Sequence, residues 1–517
     1  MPERSEPAVE TERVHLPAPM VHTRPPRWRQ VACPPGVVPA ALISGVAAAI
    51  LIPADRPGIG WVLAGSVLVT AVFSIDRNAR RAAVIVPGAP DTIDGSAPEL
   101  GTERPIRPRA FARRRENAGR LWWALLALAL LAVGAFRAAG WLFALCVVAA
   151  SVSGSLAVVG RRSARGVLYD MVAVPLAASA AVRWVYAGMS RVRASEAKRA
   201  WRLGLSVVVT VALFAVFVPL LGSADATFAA LLEVVTPDLD PPSVLRWIVL
   251  FGMFAFGALG ASFLLAGPPA SAAVHDGGGR GLRRMEWALP VGALAILFAA
   301  FVAAQFVALF GGDGYVRRTA GLTYAEYARS GFWQLSAVTI LTLVVIVIVL
   351  RWATQDTAAD RWWLRGLLTA VSMLALIIVA SALGRMWTYQ QAYGFTVLRL
   401  LVEVCELWLG LVYLLVTAAV ARLEHMWLPR AVLATAAATV LALAVLDPEQ
   451  LIADKNIDRW LHGKPLDVDY LGALSPDILP ATDRLPEPLR TTVRNRLRAD
   501  LDDDTWQSWN LSRATAR

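Results

Sequence analysis

The chain has 517 residues, 57% of them hydrophobic and 17% charged, with a mean hydropathy of +0.53 and a formal net charge of +11. A soluble chain carries about a quarter charged residues, and runs of roughly 18 apolar residues recur here, so a soluble globular protein is excluded. The basic excess is spread along the edges of apolar spans, which makes the lipid bilayer, and not nucleic acid, the expected partner.

Residues 1–35 hold proline and charge without apolar periodicity and read as a disordered cytoplasmic tail. They lack the basic-then-apolar layout of a cleaved signal peptide. Residues 36–159 form a four-span region, with spans expected over Gly36–Ile52, Trp61–Ile75, Leu121–Phe136 and Trp141–Val159. The first three are short for a hydrocarbon core of about 30 Å. The second and third are separated by an Arg/Pro-rich linker, 76–120.

Residues 160–446 form the main membrane domain. Its first apolar stretch, Val167–Tyr186, carries Asp170, Pro175 and Arg183, and these charges favour a re-entrant or interfacial helix over a twelfth span. Spans follow at Leu203–Leu221, Leu245–Ala266, Trp287–Phe310, Gly331–Leu350, Leu364–Leu383, Val397–Ala421 and Ala431–Leu446. Residues 447–517 alternate charge with apolar positions and predict short amphipathic helices packed on the bundle. The fold class is therefore all-α: a polytopic bundle of about eleven spans, or twelve if Val167–Tyr186 crosses, with a small helical C-terminal tail.

Arginine sets the orientation. Of the 50 basic residues 47 are arginine, a bias that points to a bacterial chain. Basic residues near span ends stay cytoplasmic. Arg24, Arg27 and Arg29 precede the first span, and ten arginines fill the linker. Arg161, Arg162, Arg165, Lys198 and Arg199 mark the next cytoplasmic face, whereas the loop Gly222–Val244 holds only acids. The expected location is the cell (inner/plasma) membrane, with the N-terminus cytoplasmic and the C-terminus extracytoplasmic.

One stretch strains this pattern. "GLTYAEYARSGFWQ", Gly321–Gln334, falls outside although Arg317, Arg318 and Arg329 surround it. Thr323-x-x-Glu326 fits a capping box, Glu326 and Arg329 can pair, and Tyr324, Tyr327 and Trp333 fit an aromatic belt. The alternative is an outer-face site that uses these arginines on an anionic group. Asp225, at the end of another span, and Arg385, Tyr389 and Tyr393, in the next outer loop, fall on the same side. The candidates there are thus Asp225, Arg317, Tyr324, Glu326, Tyr327, Arg329, Arg385, Tyr389 and Tyr393.

A second cluster lies within a span. "TVLRLLVEVCELWLGLVYLL" (396–415) sets Arg399, Glu403 and Glu406 four and three residues apart, on one helix face. Ionised groups in the membrane are costly and face the bundle interior or a wet cavity. Arg399 and Glu403 can pair, which leaves Glu406 needing a partner or a proton. The cluster is either a proton carrier or a structural clamp between helices.

"PLLGSADATFAALL" (219–232), "GLTYAEYARSGFWQL", "SALGRMWTYQQAYGFTVLRL" (381–400) and "LIADKNIDRWLHGKPLDVDYLGALSPDILP" (451–480) occur in that order. In them residues 200–480 resemble a family of bacterial multi-pass proteins catalogued as a domain of unknown function, numbered 4153 or 4173. The resemblance implies a polytopic inner-membrane protein and no activity.

Other motifs carry little. Asp238-x-Asp240 and Asp467-x-Asp469 read as solvated loops, because two carboxylates alone make a poor cation site. The five histidines are scattered, and three cysteines suggest neither disulfides nor zinc, so no metal or cofactor is expected. Three functions remain: a cell-envelope sensor or assembly scaffold that presents the tail to an envelope protein, a proton- or ion-coupled transporter using Glu403 or Glu406, and an enzyme on a lipid-linked envelope substrate. No catalytic residue is assigned, and the reading leans away from an enzyme.

Overall fold

The computed structural model describes residues 27–53, 56–85, 108–160, 166–191, 241–267, 281–320, 332–424, 426–498, 501 and 505–517, with isolated positions between 206 and 221. The membrane helices are α1 (Val37–Leu51), α2 (Ile59–Ile85), α3 (Pro108–Phe136), α4 (Gly140–Val159), α5 (Val167–Arg191) and α6 (Pro241–Ala266). They continue with α7 (Arg284–Ala320), α8 (Phe332–Trp352), α9 (Ala358–Tyr393), α10 (Val397–Arg422) and α11 (Leu428–Leu446). Among the described residues ten helices are long and apolar enough to cross a membrane, and α1, with 15 residues, is shorter. The expected span Leu203–Leu221 lies outside the described residues apart from isolated positions. The chain is an all-α, multi-pass membrane bundle.

The tail begins with a sharp bend. Asp447 ends α11 at φ +52°, in the left-handed region, and its carboxylate accepts the Gln450 amide (3.4 Å) to start α12 (Pro448–Leu461). Pro448 at the first helical position gives up an amide that would have no acceptor there. α13 (Val468–Gly472), α14 (Leu479–Thr482), α15 (Leu489–Arg498) and α16 (Leu511–Ala516) follow. Ala453, Ile457, Leu471, Ile478, Ala481, Leu485, Val493 and Leu497 form the tail's own small core.

Polar contacts seat this tail on three turns of the bundle. Asn456 holds both backbone groups of Phe395 (2.9 and 2.8 Å), between α9 and α10. Asp477 accepts the amides of Ala138 and Ala139 (3.0 Å each), between α3 and α4. Arg513 donates to the Pro57 carbonyl (2.8 Å), and Ile59 donates to that of Trp509 (3.0 Å), between α1 and α2. These turns share one face of the bundle, the tail face.

The opposite, far face carries α5. Trp184 Nε1 donates to the Val31 carbonyl (3.0 Å), and Gly188 lies against Cys33, so α5 ends beside the start of α1. At its other end the Asp170 carbonyl accepts the Ser155 hydroxyl (2.6 Å), and the Asp170 carboxylate lies 3.9 Å from Arg430, which also donates to Gly160. Both ends of about 37 Å of helix therefore rest on the far face. Ala173, Ala177, Ala181 and Trp184 pack on the ends of α1, α2, α4 and α6. The apolar length would let α5 cross, but its contacts lay it along the far face.

Helix α9 centres the rest. Leu364, Leu368, Val371, Ala375, Ile378 and Ala382 repeat at spacings of four and three on one buried stripe. They meet α7, α8 and α10, and in lipid such packing holds helices together through dispersion and close fit. The Thr357–Asp360 capping box and the Arg284–Asp360 ion pair (2.8 Å) fix the start of α9 on the far face. Its other end differs from expectation: Arg385 to Tyr393 continue the helix and do not form a loop. α7 likewise runs to Ala320, so the backbone at Arg317 and Arg318 is helical.

Candidate functional site

α10 carries a polar stripe along its length. Thr396 caps the helix by accepting the Arg399 amide (3.4 Å). From there Arg399, Glu403, Glu406, Gly410, Tyr413 and Thr417 recur at intervals of four and three, and so share one face. At 1.5 Å per residue Glu406 lies about 14 Å below the helix start, roughly midway through a hydrocarbon core.

The partners come from α8 and α9. The Ser336 hydroxyl of α8 donates to Glu406 Oε1. Glu406 is 2% exposed, and its Oε2 has no hydrogen-bond partner. Two turns further along α10 the Tyr413 hydroxyl donates to the Thr339 carbonyl (2.6 Å). Ser336, Thr339 and Thr342 are spaced by three, so α8 and α10 present polar seams to each other. Closer to the tail face, Gln390 Nε2 donates to Glu403 (3.1 Å), while the wholly buried Gln390 leaves its Oε1 without a donor.

The expected Arg399–Glu403 pair does not form. Arg399 turns back to the carbonyls of Tyr393 (3.1 Å) and Gly394, and its guanidinium stacks on the Tyr389 ring (4.6 Å to the centroid). The free carbonyls at the α9 terminus supply acceptors for the cation, while Glu403 accepts Gln390 instead. Among the described residues no ion pair reaches Glu403 or Glu406. Polar groups thus descend in three steps from the tail face: Arg399 with its tyrosines, Glu403 with Gln390, then Glu406 with Ser336.

Arg385 donates to Gln305 of α7, which also accepts the Ser381 hydroxyl (3.1 Å). Tyr389 and Tyr393 stack 4.9 Å apart at the head of α9. Asp225, Tyr324, Glu326, Tyr327 and Arg329 lie outside the described residues, as does the Thr323 capping box, and for Arg317 the side chain does too.

A second polar cluster, absent from the sequence reading, binds the tail to α3 and α4. Arg137 donates to the Ala444 carbonyl (2.8 Å) and pairs with Asp447. Glu449 accepts Trp141 Nε1 (2.7 Å) and the Ser475 amide (2.6 Å), and Asp477 takes the amides of Ala138 and Ala139. Burial, followed by the Asp477 charge, pushes the Asp447 carboxyl up to about 6; Arg137 opposes them and Glu449 adds to them. Asp447, Glu449 and Asp477 are isolated acids in sequence, and only the fold brings them together.

A family model described as Domain of unknown function (DUF4153) matches residues 125–485, beginning closer to the N-terminus than the motifs that suggested the resemblance. No curated protein and no solved structure matches the chain. The match takes in α4 to α14 and all of the polar stripe, and on that extent the chain belongs to the DUF4153 family.

Proposed function

We propose that the protein is a proton-coupled transporter of the cell membrane, with Glu406 the group that takes up and releases the coupling proton. The observation that carries this reading is the buried Glu406 carboxyl, met among the described residues by one hydroxyl and no cation, within polar seams that run along α8 and α10. An ionised carboxylate at that depth costs several kcal/mol, and binding a proton removes the cost. Ser336 of α8 meets it directly, and Cys405 and Tyr413 on its own helix are close enough to feel its charge. Glu403 and Gln390 lie between it and the tail face and would relay the proton. In this reading the tail, residues 447–517, is extracytoplasmic, and Asp225, Arg317, Tyr324, Glu326, Tyr327 and Arg329 remain candidates for substrate contact on that side.

The test is complementation of a deletion strain with Glu406→Gln, with membrane abundance measured in parallel and proton flux followed in liposomes. Gln keeps the shape and one acceptor but cannot ionise. Normal abundance with lost function and lost flux is expected. Full complementation would reduce Glu406 to a clamp between helices.

A sensor or assembly scaffold is the second reading, supported by the tail seated on three turns of the bundle. A scaffold would work with Glu406→Gln and fail when the tail is released by Asn456→Ala.

A further inference from the structure

We propose that Arg399 and Arg459 form a binding site for a phosphate-bearing anion over the turn between α9 and α10. Both guanidiniums lie against Gly394. Arg399 Nη1 donates to the Gly394 carbonyl, and Arg459 Nη1 stands 2.9 Å from where a Cβ on that residue would be. Gly394 has φ +90°, so glycine serves both the turn and the close approach.

Neither arginine has a carboxylate partner among the described residues. Glu403 is taken up by Gln390, and Asp458, next to Arg459, is held by Arg484. Arg459 spends Nε and Nη2 on the carbonyls of Gln391 (3.1 Å) and Ala392 (3.0 Å), which leaves Nη1 unused. The terminus of α9 offers these two cations only about half a negative charge. Burial, and then the Arg399 charge, lower the Arg459 guanidinium from its ordinary value.

Arg399 is already bonded to the Tyr393 and Gly394 carbonyls and to the Tyr389 hydroxyl (3.4 Å). The site thus offers two uncompensated guanidinium charges with Arg459 Nη1 free to donate. That suits an anion that brings both charge and several oxygens, as a phosphate group does. Tyr389 and Tyr393 flank the arginines, and Tyr393 is 54% exposed. The site lies at the start of α10 on the tail face, and both arginines are part-exposed. It does not depend on proton coupling at Glu406.

The full chain, purified in detergent, is probed by native mass spectrometry with phosphatidylglycerol and with zwitterionic phosphatidylcholine, and its thermal unfolding is followed with inorganic phosphate. The wild type should hold phosphatidylglycerol about ten-fold more tightly than phosphatidylcholine. Arg459→Gln and Arg399→Gln should each erase that preference, and Arg459→Lys should keep part of it because charge survives without the fork. If inorganic phosphate raises the melting temperature and displaces phosphatidylglycerol, the ligand is a phosphate-bearing solute. If phosphatidylglycerol alone responds, it is a lipid headgroup. A wild type with neither response overturns the proposal, with or without folded variants, as does a preference that survives the double variant.

Discussion

Glu406 of α10 accepts the Ser336 hydroxyl of α8, and no other group of the described protein meets its carboxyl. The contact joins two helices that also meet through the Tyr413 hydroxyl and the Thr339 carbonyl, and it does so deep in the bundle. One hydroxyl is too little to hold an ionised carboxylate there, so this pair is where polarity and stability compete.

A double-mutant cycle measures that competition. Ser336→Ala should destabilise the wild type by about 1 kcal/mol and cost less in the Glu406→Gln background. A coupling of about 0.5–1.7 kcal/mol is expected from reversible unfolding in mixed micelles. Strictly additive losses would show that the pair contributes nothing to the bundle.

The tail cluster should respond to pH. Asp447 holds its proton to about pH 6 in the folded chain, against an ordinary value of 3.8. Between these values the folded state binds a proton that the unfolded state has released, so stability is greatest at the acid end and falls as pH rises to about 6. The loss is about 3 kcal/mol. Asp447→Asn should flatten that slope in unfolding measured between pH 4 and pH 7. An unchanged slope would remove Asp447 as its source.

Asp477 is both the neighbour that raises Asp447 and the acceptor for the amides of half-buried Ala138 and buried Ala139. Asp477→Ala should cost about 3 kcal/mol and loosen the tail, seen as faster hydrogen exchange at Ala138 and Ala139. Asp477→Asn keeps an acceptor and should cost less, while moving the pH response of Asp447 downward.

Sidedness is testable at two exposed positions, Lys464 in the tail and Glu424 on the far face. In a background without Cys33, Cys146 and Cys405, Lys464→Cys should react with an impermeant thiol reagent in intact cells. Glu424→Cys should react only after permeabilisation. The reverse pattern would invert the topology.

Spacing within one helix was legible in the sequence. Arg399, Glu403 and Glu406 fall on one face because helical geometry alone decides it. Ser336 and Gln390 did not stand out, because their roles depend on which helices become neighbours. The charges of Val167–Tyr186 favoured an interfacial helix over a span, and the contacts of Trp184 and Asp170 agree. Hydropathy ended α9 near Leu383, where the residues turn polar. The helix runs on to Tyr393 because polar side chains such as Gln390 and Arg385 find partners on neighbouring helices. The Gly321–Gln334 stretch, whose arginines strained the charge pattern, lies almost wholly outside the described residues.

The seating of the tail also sets an order of assembly. Residues 447–517 leave the ribosome after every turn they fasten, so the amides of Ala138 and Ala139 and the carbonyl of Pro57 wait for acceptors and donors encoded more than 300 residues later. Synthesis of residues 447–517 thus fastens those turns, and a chain halted before Asp477 leaves the Ala138 and Ala139 amides without that acceptor.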